Sequence, residues 1–433
     1  MVHCYQLGGS GIVLDVNSGS IHICDEESYR AIEAWERNGS EGIEAEIARE
    51  IEALISAGKL FSPEHSRLSP ADDYDVKALC LNVAHCCNLR CAYCFTGHNL
   101  NDDTQLMSFE TGKAALDFLV ANCGGHRNLE VDFFGGEPLL NLDVVKRLVA
   151  YARTLEAEHN VRFRFTLTTN GLLLTDDVTE FCNAEFDNVV LSLDGREATH
   201  NRFRKFPGGS GSYSAVVGKM QRFTALRKGG YYIRGTYTRD NLDFTADILA
   251  MSELGFRHLA LEPVVASPDS PYSLREEDLP LLFAEYEKLA FEMAARIGGT
   301  EEFTFYHYSL DLENGPCLHK RCAGCGAGTE YYCVTPDGTL YPCHQFAGEA
   351  EFAAGNVRDG ITNRTLTEKF AKANLFSRSD CAECWAKFYC AGGCSANAYH
   401  ASGSIDGTYG LGCELFRKRM ECAIWLTANT ASA

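Results

Sequence analysis

The stretch Cys87-Asn88-Leu89-Arg90-Cys91-Ala92-Tyr93-Cys94 spaces three thiols as Cys-x3-Cys-x2-Cys and sets an aromatic residue before the last of them. Three thiolates on one loop can hold three irons of a [4Fe–4S] cube and leave the fourth iron open to another ligand. Structural zinc wants four ligands, usually from paired Cys-x2-Cys knuckles, and suits this loop poorly. Cys86 is a bystander, because only Cys87 gives the three-residue gap to Cys91. Immediately upstream, Ala78 to Ala84 is a short apolar run that reads as a β-strand.

Beyond the loop, strands and helices alternate up to about Arg296. Strands are expected at Leu129 to Phe134, Arg162 to Thr168, Asn188 to Leu193, Tyr231 to Thr238 and His258 to Pro263. Helical periodicity separates them, as at Ser108 to Asn122, Leu142 to Glu158 and Ser214 to Lys228, with another helix at Leu279 to Arg296. Repeated βα units imply a parallel sheet, so the fold class is α/β, a partial (β/α)6 barrel over residues 78–300 with its chemistry at the strand C-termini. Polar motifs fall at those ends: Gly135-Gly136-Glu137-Pro138, Thr168-Thr169-Asn170-Gly171 and Ser192-Leu193-Asp194-Gly195, with Arg234 on the fifth strand. Two glycines let backbone groups approach a ligand, and a carboxylate can accept hydrogen bonds from an ammonium. Taken singly, these motifs equally suit tight turns and helix caps, and Arg234 equally suits a structural ion pair.

Residues 305–425 are rich in Cys and Gly and have little periodicity, so this region needs metal or covalent staples in place of an obvious core. It carries Cys381-x2-Cys384-x5-Cys390-x3-Cys394 followed by Cys413, with Gly338-x4-Cys343 upstream. Residues 1–66 form a small α+β unit. Two β-type runs, Ile12 to Val16 and Ser20 to Cys24, flank the turn Asn17-Ser18-Gly19, and helical patterns follow from Asp25, an N-cap, to Arg37 and from Glu41 to Gly58. Such a unit suits either simple decoration or a dock that accepts a peptide strand on its sheet edge. Its removal is expected to leave barrel and tail intact.

The chain has 433 residues, 45% of them hydrophobic, enough for a large core in two or three domains. Its formal charge of -20 opposes a phosphate backbone, so no nucleic-acid partner is expected. No apolar run reaches the ~18 residues of a membrane span, and Met1 to Leu7 lacks the pattern of a secretion signal, so a cytoplasmic protein without membrane partners is expected. Twenty cysteines in a reducing compartment point to metal or cluster ligation, not disulfides. Cys4, Cys24, Cys80, Cys123 and Cys182 are scattered singly and are read as small core residues.

The cysteine loop resembles the radical S-adenosylmethionine (SAM) superfamily, in which the open iron is chelated by the amino and carboxylate groups of SAM. In that likeness Gly135, Gly136 and Glu137 form the element that holds the methionine amine. Tyr93, Thr168, Asn170, Ser192 and Asp194 become cofactor contacts, and Arg234 a partner for the SAM carboxylate. The tail resembles the SPASM domain, an auxiliary-cluster module with interleaved ligands. Carried over, Cys381, Cys384, Cys390 and Cys413 hold one [4Fe–4S] cluster, and Cys325, Cys343 and Cys394 hold another with Cys317 as the preferred fourth ligand over Cys322; Cys87, Cys91 and Cys94 complete a set of three clusters. Extended phrases, among them Leu129 to Pro138, Cys325-Gly326-Ala327-Gly328-Thr329-Glu330-Tyr331 and Tyr341-Pro342-Cys343-His344-Gln345-Phe346, are similar to the SCIFF maturases, named for peptides with six cysteines in forty-five residues.

That resemblance implies a winged-helix-like peptide-recognition unit at 1–66 and a Cys-rich precursor peptide as partner. The implied reaction cleaves SAM with an electron from an external donor. The resulting 5′-deoxyadenosyl radical takes a hydrogen from a peptide carbon, and a cysteine sulfur bonds to that carbon as a thioether. A maturase making carbon–carbon links, a formylglycine-type oxidation, and a non-catalytic zinc scaffold are the alternatives.

Overall fold

The computed structural model of the chain describes residues 1–64, 74–94, 105–312 and 322–430. Alternating side chains at the start build an antiparallel sheet of β1 (Val2–Leu7), β2 (Ser10–Asp15) and β3 (Ile21–Cys24), in that order. Gly8 and Gly9, both at positive φ, close the first hairpin. The sequence reading found only the second hairpin, although this Gly-Gly marks the first. Two helices follow, Glu26–Asn38 and Ala45–Ser56, and Asp25 caps the first of them as expected by accepting the Ser28 N–H. Val13 packs beneath these helices with Tyr29, Ile32, Ile51 and Leu60. On the opposite face Tyr5, Leu7, Ile12 and Leu14 belong to the same core as the barrel. The expectation that barrel and tail have no need of residues 1–66 is therefore corrected: one face of the first sheet is part of their core.

The barrel region contains β4 (Ala78–Ala84), the short β5 (Arg90–Cys91), β6 (Asn128–Gly135), β7 (Arg162–Thr169), β8 (Asn188–Ser192), the short β9 (Arg204–Lys205), β10 (Gly230–Tyr237), β11 (His258–Pro263) and the short β12 (Thr304–Phe305). β4, β6, β7, β8, β10 and β11 pair in that order and in parallel. β4 and β11 do not pair with each other, so the barrel is open. Every residue of β4 is buried, which explains its apolar run: strands covered on both faces have no polar alternation. Phe133, Phe165 and Phe186 pack with ring centroids 5.8–6.0 Å apart beneath the sheet, each contributing about 2–3 kcal/mol by burial.

The tail does possess a core, because it borrows the barrel's edge. β13 (Tyr331–Val334) pairs in parallel with β4, and β14 (Thr339–Tyr341), β15 (Gly355–Asn356) and β16 (Gly360–Ile361) extend the sheet antiparallel to eleven strands. A final helix, Gly410–Thr430, packs against the helix Leu279–Ala294 and against β1. Among the described residues no helix is long and apolar enough to cross a membrane.

Candidate active site and cluster sites

The cysteine loop is pinned to the barrel before any metal enters it. Cys91 of β5 lies opposite Arg204 of β9, Ala92 N–H donates to Phe203 O at 3.0 Å, and Glu137 N–H donates to Cys86 O at 3.0 Å. Gly136 is required there: a Cβ would stand 2.2 Å from Cys86 O. Burial pushes the Cys87 thiol up to about 11 and the Cys91 thiol up to about 12, and both feel Cys94. Protonated thiols facing one another lose their protons readily only to a metal, so this donor set fits an iron–sulfur cluster.

The loop forms one wall of a cavity of about 370 Å³ at the C-terminal ends of the strands. Tyr93, Gly135, Gly136, Thr168, Asn170, Ser192 and Arg234 stand on its wall, as do Cys87, Cys91 and Cys94. Asn170 Nδ2 donates to Asn88 Oδ1 at 2.7 Å and lies 3.7 Å from Cys87 Sγ. Two expected contacts, Glu137 and Asp194, stand behind the wall and not on it. Glu137 is fully buried beneath it, accepting from Leu139 N at 3.1 Å, Thr169 Oγ1 at 2.8 Å and Asn170 N at 2.8 Å. Burial raises its carboxyl to about 7. Asp194, also fully buried, accepts from Tyr93 OH at 2.6 Å, Arg204 Nε at 3.0 Å and Thr236 N at 3.0 Å. Carboxylates occupied in this way orient the wall and have little capacity left for a ligand.

Among the wall residues that escaped the sequence reading are Arg204, Glu262 and His344. The signal for Arg204 was an arginine ten residues after Asp194, its partner. Glu262 lies one residue before the end of β11; burial works to raise its carboxyl, but His307 and Arg234 overcome that and hold it at about 2. Arg234 Nη2 lies 3.7 Å from Glu262 Oε1, so this arginine is both on the cavity wall and in an ion pair. His344 and Gln345 enter the cavity from the tail, directly after Cys343.

In the tail, Cys381, Cys384, Cys390 and Cys413 line a second cavity of about 630 Å³ together with Lys387 and Arg417. Burial pushes the Cys390 thiol up to about 12, and Arg417 Nη1 lies 4.0 Å from Cys384 Sγ. Cys325, Cys343 and Cys394 form another group, each of the first two thiols raised by burial and by the neighbouring thiols. Cys317 lies outside the described residues. Cys322 is buried and its carbonyl accepts from Leu375 N at 3.2 Å. Cys333 faces Cys80 across β13 and β4, and Cys422 packs against Tyr308, so both are engaged in the core. Cys123 and Cys182 are likewise buried, whereas Cys4 and Cys24 are half-buried. Among the described residues no three His, Cys, Asp or Glu side chains meet as tightly as a single metal ion requires.

Comparison with known proteins matches residues 81–246 to the radical SAM superfamily and residues 325–385 to SPASM, an iron–sulfur cluster-binding domain. The radical SAM cyclopropyl synthase TigE of Paramaledivibacter caminithermalis is 23% identical over 77% of this chain and 70% of its own length. A cysteine-type anaerobic sulfatase-maturating enzyme of Clostridium perfringens is 27% identical over 71% of this chain and 85% of its own. Among solved structures, native anSMEcpe with bound AdoMet superposes with a TM-score of 0.67 at 21% identity, over 82% of this chain and 99% of that one. Streptococcus suis SuiB bound to precursor peptide SuiA gives 0.56 at 16% identity, over 94% and 97%. These likenesses establish the shared fold.

Proposed function

From the matches to a radical SAM domain and to a SPASM iron–sulfur domain, we propose that the chain is a peptide maturase that installs cysteine thioether crosslinks in a ribosomally made Cys-rich precursor. One observation carries the reading: His344 and Gln345 line the SAM-sized cavity while the adjacent Cys343 belongs to a thiol group of the tail. A peptide held there lies between the loop of Cys87, Cys91 and Cys94 and an auxiliary site. When bound and reduced, the first cluster supplies the electron that cleaves SAM, and auxiliary clusters can take up the electron left after bond formation. The chain's own residues bind and orient. Tyr93, Gly135, Gly136, Thr168, Asn170, Ser192 and Arg234 line the SAM site, and Glu137 and Asp194 hold that wall from behind.

Three [4Fe–4S] clusters are assigned, on Cys87, Cys91 and Cys94, on Cys381, Cys384, Cys390 and Cys413, and on Cys325, Cys343 and Cys394 with Cys317. Residues 1–66 serve as the peptide-binding unit beside a barrel at 78–300 and an auxiliary-cluster domain at 305–425. β1 is covered by the last helix, whereas β3 is the opposite edge, with Ile23 half exposed, and suits an added peptide strand.

Incubation with a Cys-rich precursor, SAM and a strong reductant should lower the peptide mass by two hydrogens per link and consume one thiol each time. Reduction followed by alkylation separates the readings. If all cysteines alkylate while the mass loss persists, the product is a carbon–carbon link or another oxidation.

A further inference from the structure

The four-cysteine cavity is not closed by the tail alone. Lys387 stands on its wall with a side chain only 5% exposed. Its ammonium donates to Ala382 O at 3.0 Å and to Glu64 Oε1 at 3.2 Å, on the segment leaving the N-terminal unit. Trp385, beside Cys384, is stacked by His3 of β1 at 3.9 Å with the rings 5° from parallel. His3 Nε2 lies 3.0 Å from Glu421 Oε1 of the last helix, and Tyr5 OH donates to Glu421 O at 2.9 Å. Two contacts from the first unit thus frame the loop that carries Cys381, Cys384 and Cys390.

A buried ammonium is costly unless negative charge faces it. The Glu64 carboxylate is 71% exposed and its charge is largely screened by water, and the Ala382 carbonyl and the Phe388 ring, 5.4 Å from the ammonium, bring no formal charge, so the compensation is thin. A cluster on four thiolates is anionic and supplies the missing charge from the cavity side. Reduction adds a further electron to it, and a fixed neighbouring cation favours the reduced state.

We propose that Lys387 is a positioning residue of this auxiliary site, that its ammonium raises the redox potential of the cluster on Cys381, Cys384, Cys390 and Cys413, and that the N-terminal unit holds it there through Glu64 and the His3–Trp385 stack. The inference rests on the cluster assignment made above. It gives the first unit a second task besides binding peptide: it tunes the electron acceptor.

The test is a redox titration of the reconstituted holoenzyme, followed by the electron paramagnetic resonance signal of each cluster. Lys387→Met should move this cluster's midpoint to more negative potential and leave the others in place, and Lys387→Arg should restore it. His3→Ala should shift it in the same direction by less. An unchanged midpoint in Lys387→Met at full iron content overturns the proposal. Should that variant lose iron at this site, Lys387→Gln, which removes the charge but keeps a polar side chain, decides: a negative shift supports the proposal, and an unchanged or more positive midpoint overturns it. Cys384→Ala that keeps every cluster signal and all iron would remove the site assignment itself, an outcome that Lys387 variants cannot produce.

Discussion

The thiols of Cys87, Cys91 and Cys94 come from eight consecutive residues, whereas those of Cys381, Cys384, Cys390 and Cys413 are drawn from thirty-three. The first group sits on a loop tied by backbone hydrogen bonds to a sheet with its own core. The second is carried by turns, the four-residue helices Ser379–Ala382 and Lys387–Cys390, and the start of the last helix. Short helices of this kind have no stability of their own. On the cluster assignment proposed above, the contrast separates two uses of iron: at the barrel it would bring chemistry to a prebuilt site, and in the tail it would also bring structure.

The largest effect should come from replacing Cys87, Cys91 and Cys94 together with Ala. Formation of 5′-deoxyadenosine should fall to background while the thermal unfolding profile stays close to that of the parent protein. Persisting SAM cleavage would move the active site elsewhere.

Stripping iron with a chelator should sharpen the contrast within one molecule. Amide exchange across residues 379–413 should rise by about a hundredfold, or about 3 kcal/mol of opening free energy, with β4 to β8 unchanged. Equal loosening of both regions would break the comparison.

A subtler consequence concerns pH. His200 lies behind Asp194, its Nδ1 3.4 Å from Asp194 N and its Nε2 3.0 Å from Ser212 Oγ, and burial pushes its imidazole from 6.5 down to about 3. The unfolded chain therefore binds this proton more readily, so stability is full above pH 6.5 and falls as pH drops below it, by about 2 kcal/mol at ~pH 5. His200→Asn should flatten the melting temperature against pH in that window. An unaltered slope would show that the acid sensitivity belongs to other groups.

The smallest effect belongs to the seam between the first unit and the tail. Tyr5→Phe removes the hydrogen bond to Glu421 O and should cost about 1 kcal/mol, read as earlier exchange in the last helix. No change there would mean that stacking and burial alone hold the seam.

The parallel strands were legible because burial on both faces writes an apolar run; Ala78–Ala84 and His258–Pro263 fall where the sequence places them. β13 was not, because four residues make a weak signal and their partner, β4, lies about 250 residues away in the chain. The three-thiol loop of Cys87, Cys91 and Cys94 was visible through spacing, whereas the two tail sets were read from the resemblance to the SPASM domain, whose ligands interleave. Glu137 and Asp194 were read as cofactor contacts because a linear motif does not say which way a side chain turns at the end of a strand. Arg204, Glu262 and His344 share a wall only once β9, β11 and the tail converge, a condition that local sequence does not carry.

The contact between His3 and Glu421 joins residues 418 positions apart. A ribosome adding about 5–20 residues per second completes that distance in about 20–80 s, whereas a β-hairpin forms within microseconds. The sheet of β1 to β3 can therefore exist as a hairpin structure long before its apolar face of Tyr5, Leu7, Ile12 and Leu14 has anything to cover it. The sheet is sheltered only once the helix Gly410–Thr430 is made, and through that interval the nascent chain carries an open strand edge beside bare hydrophobic surface.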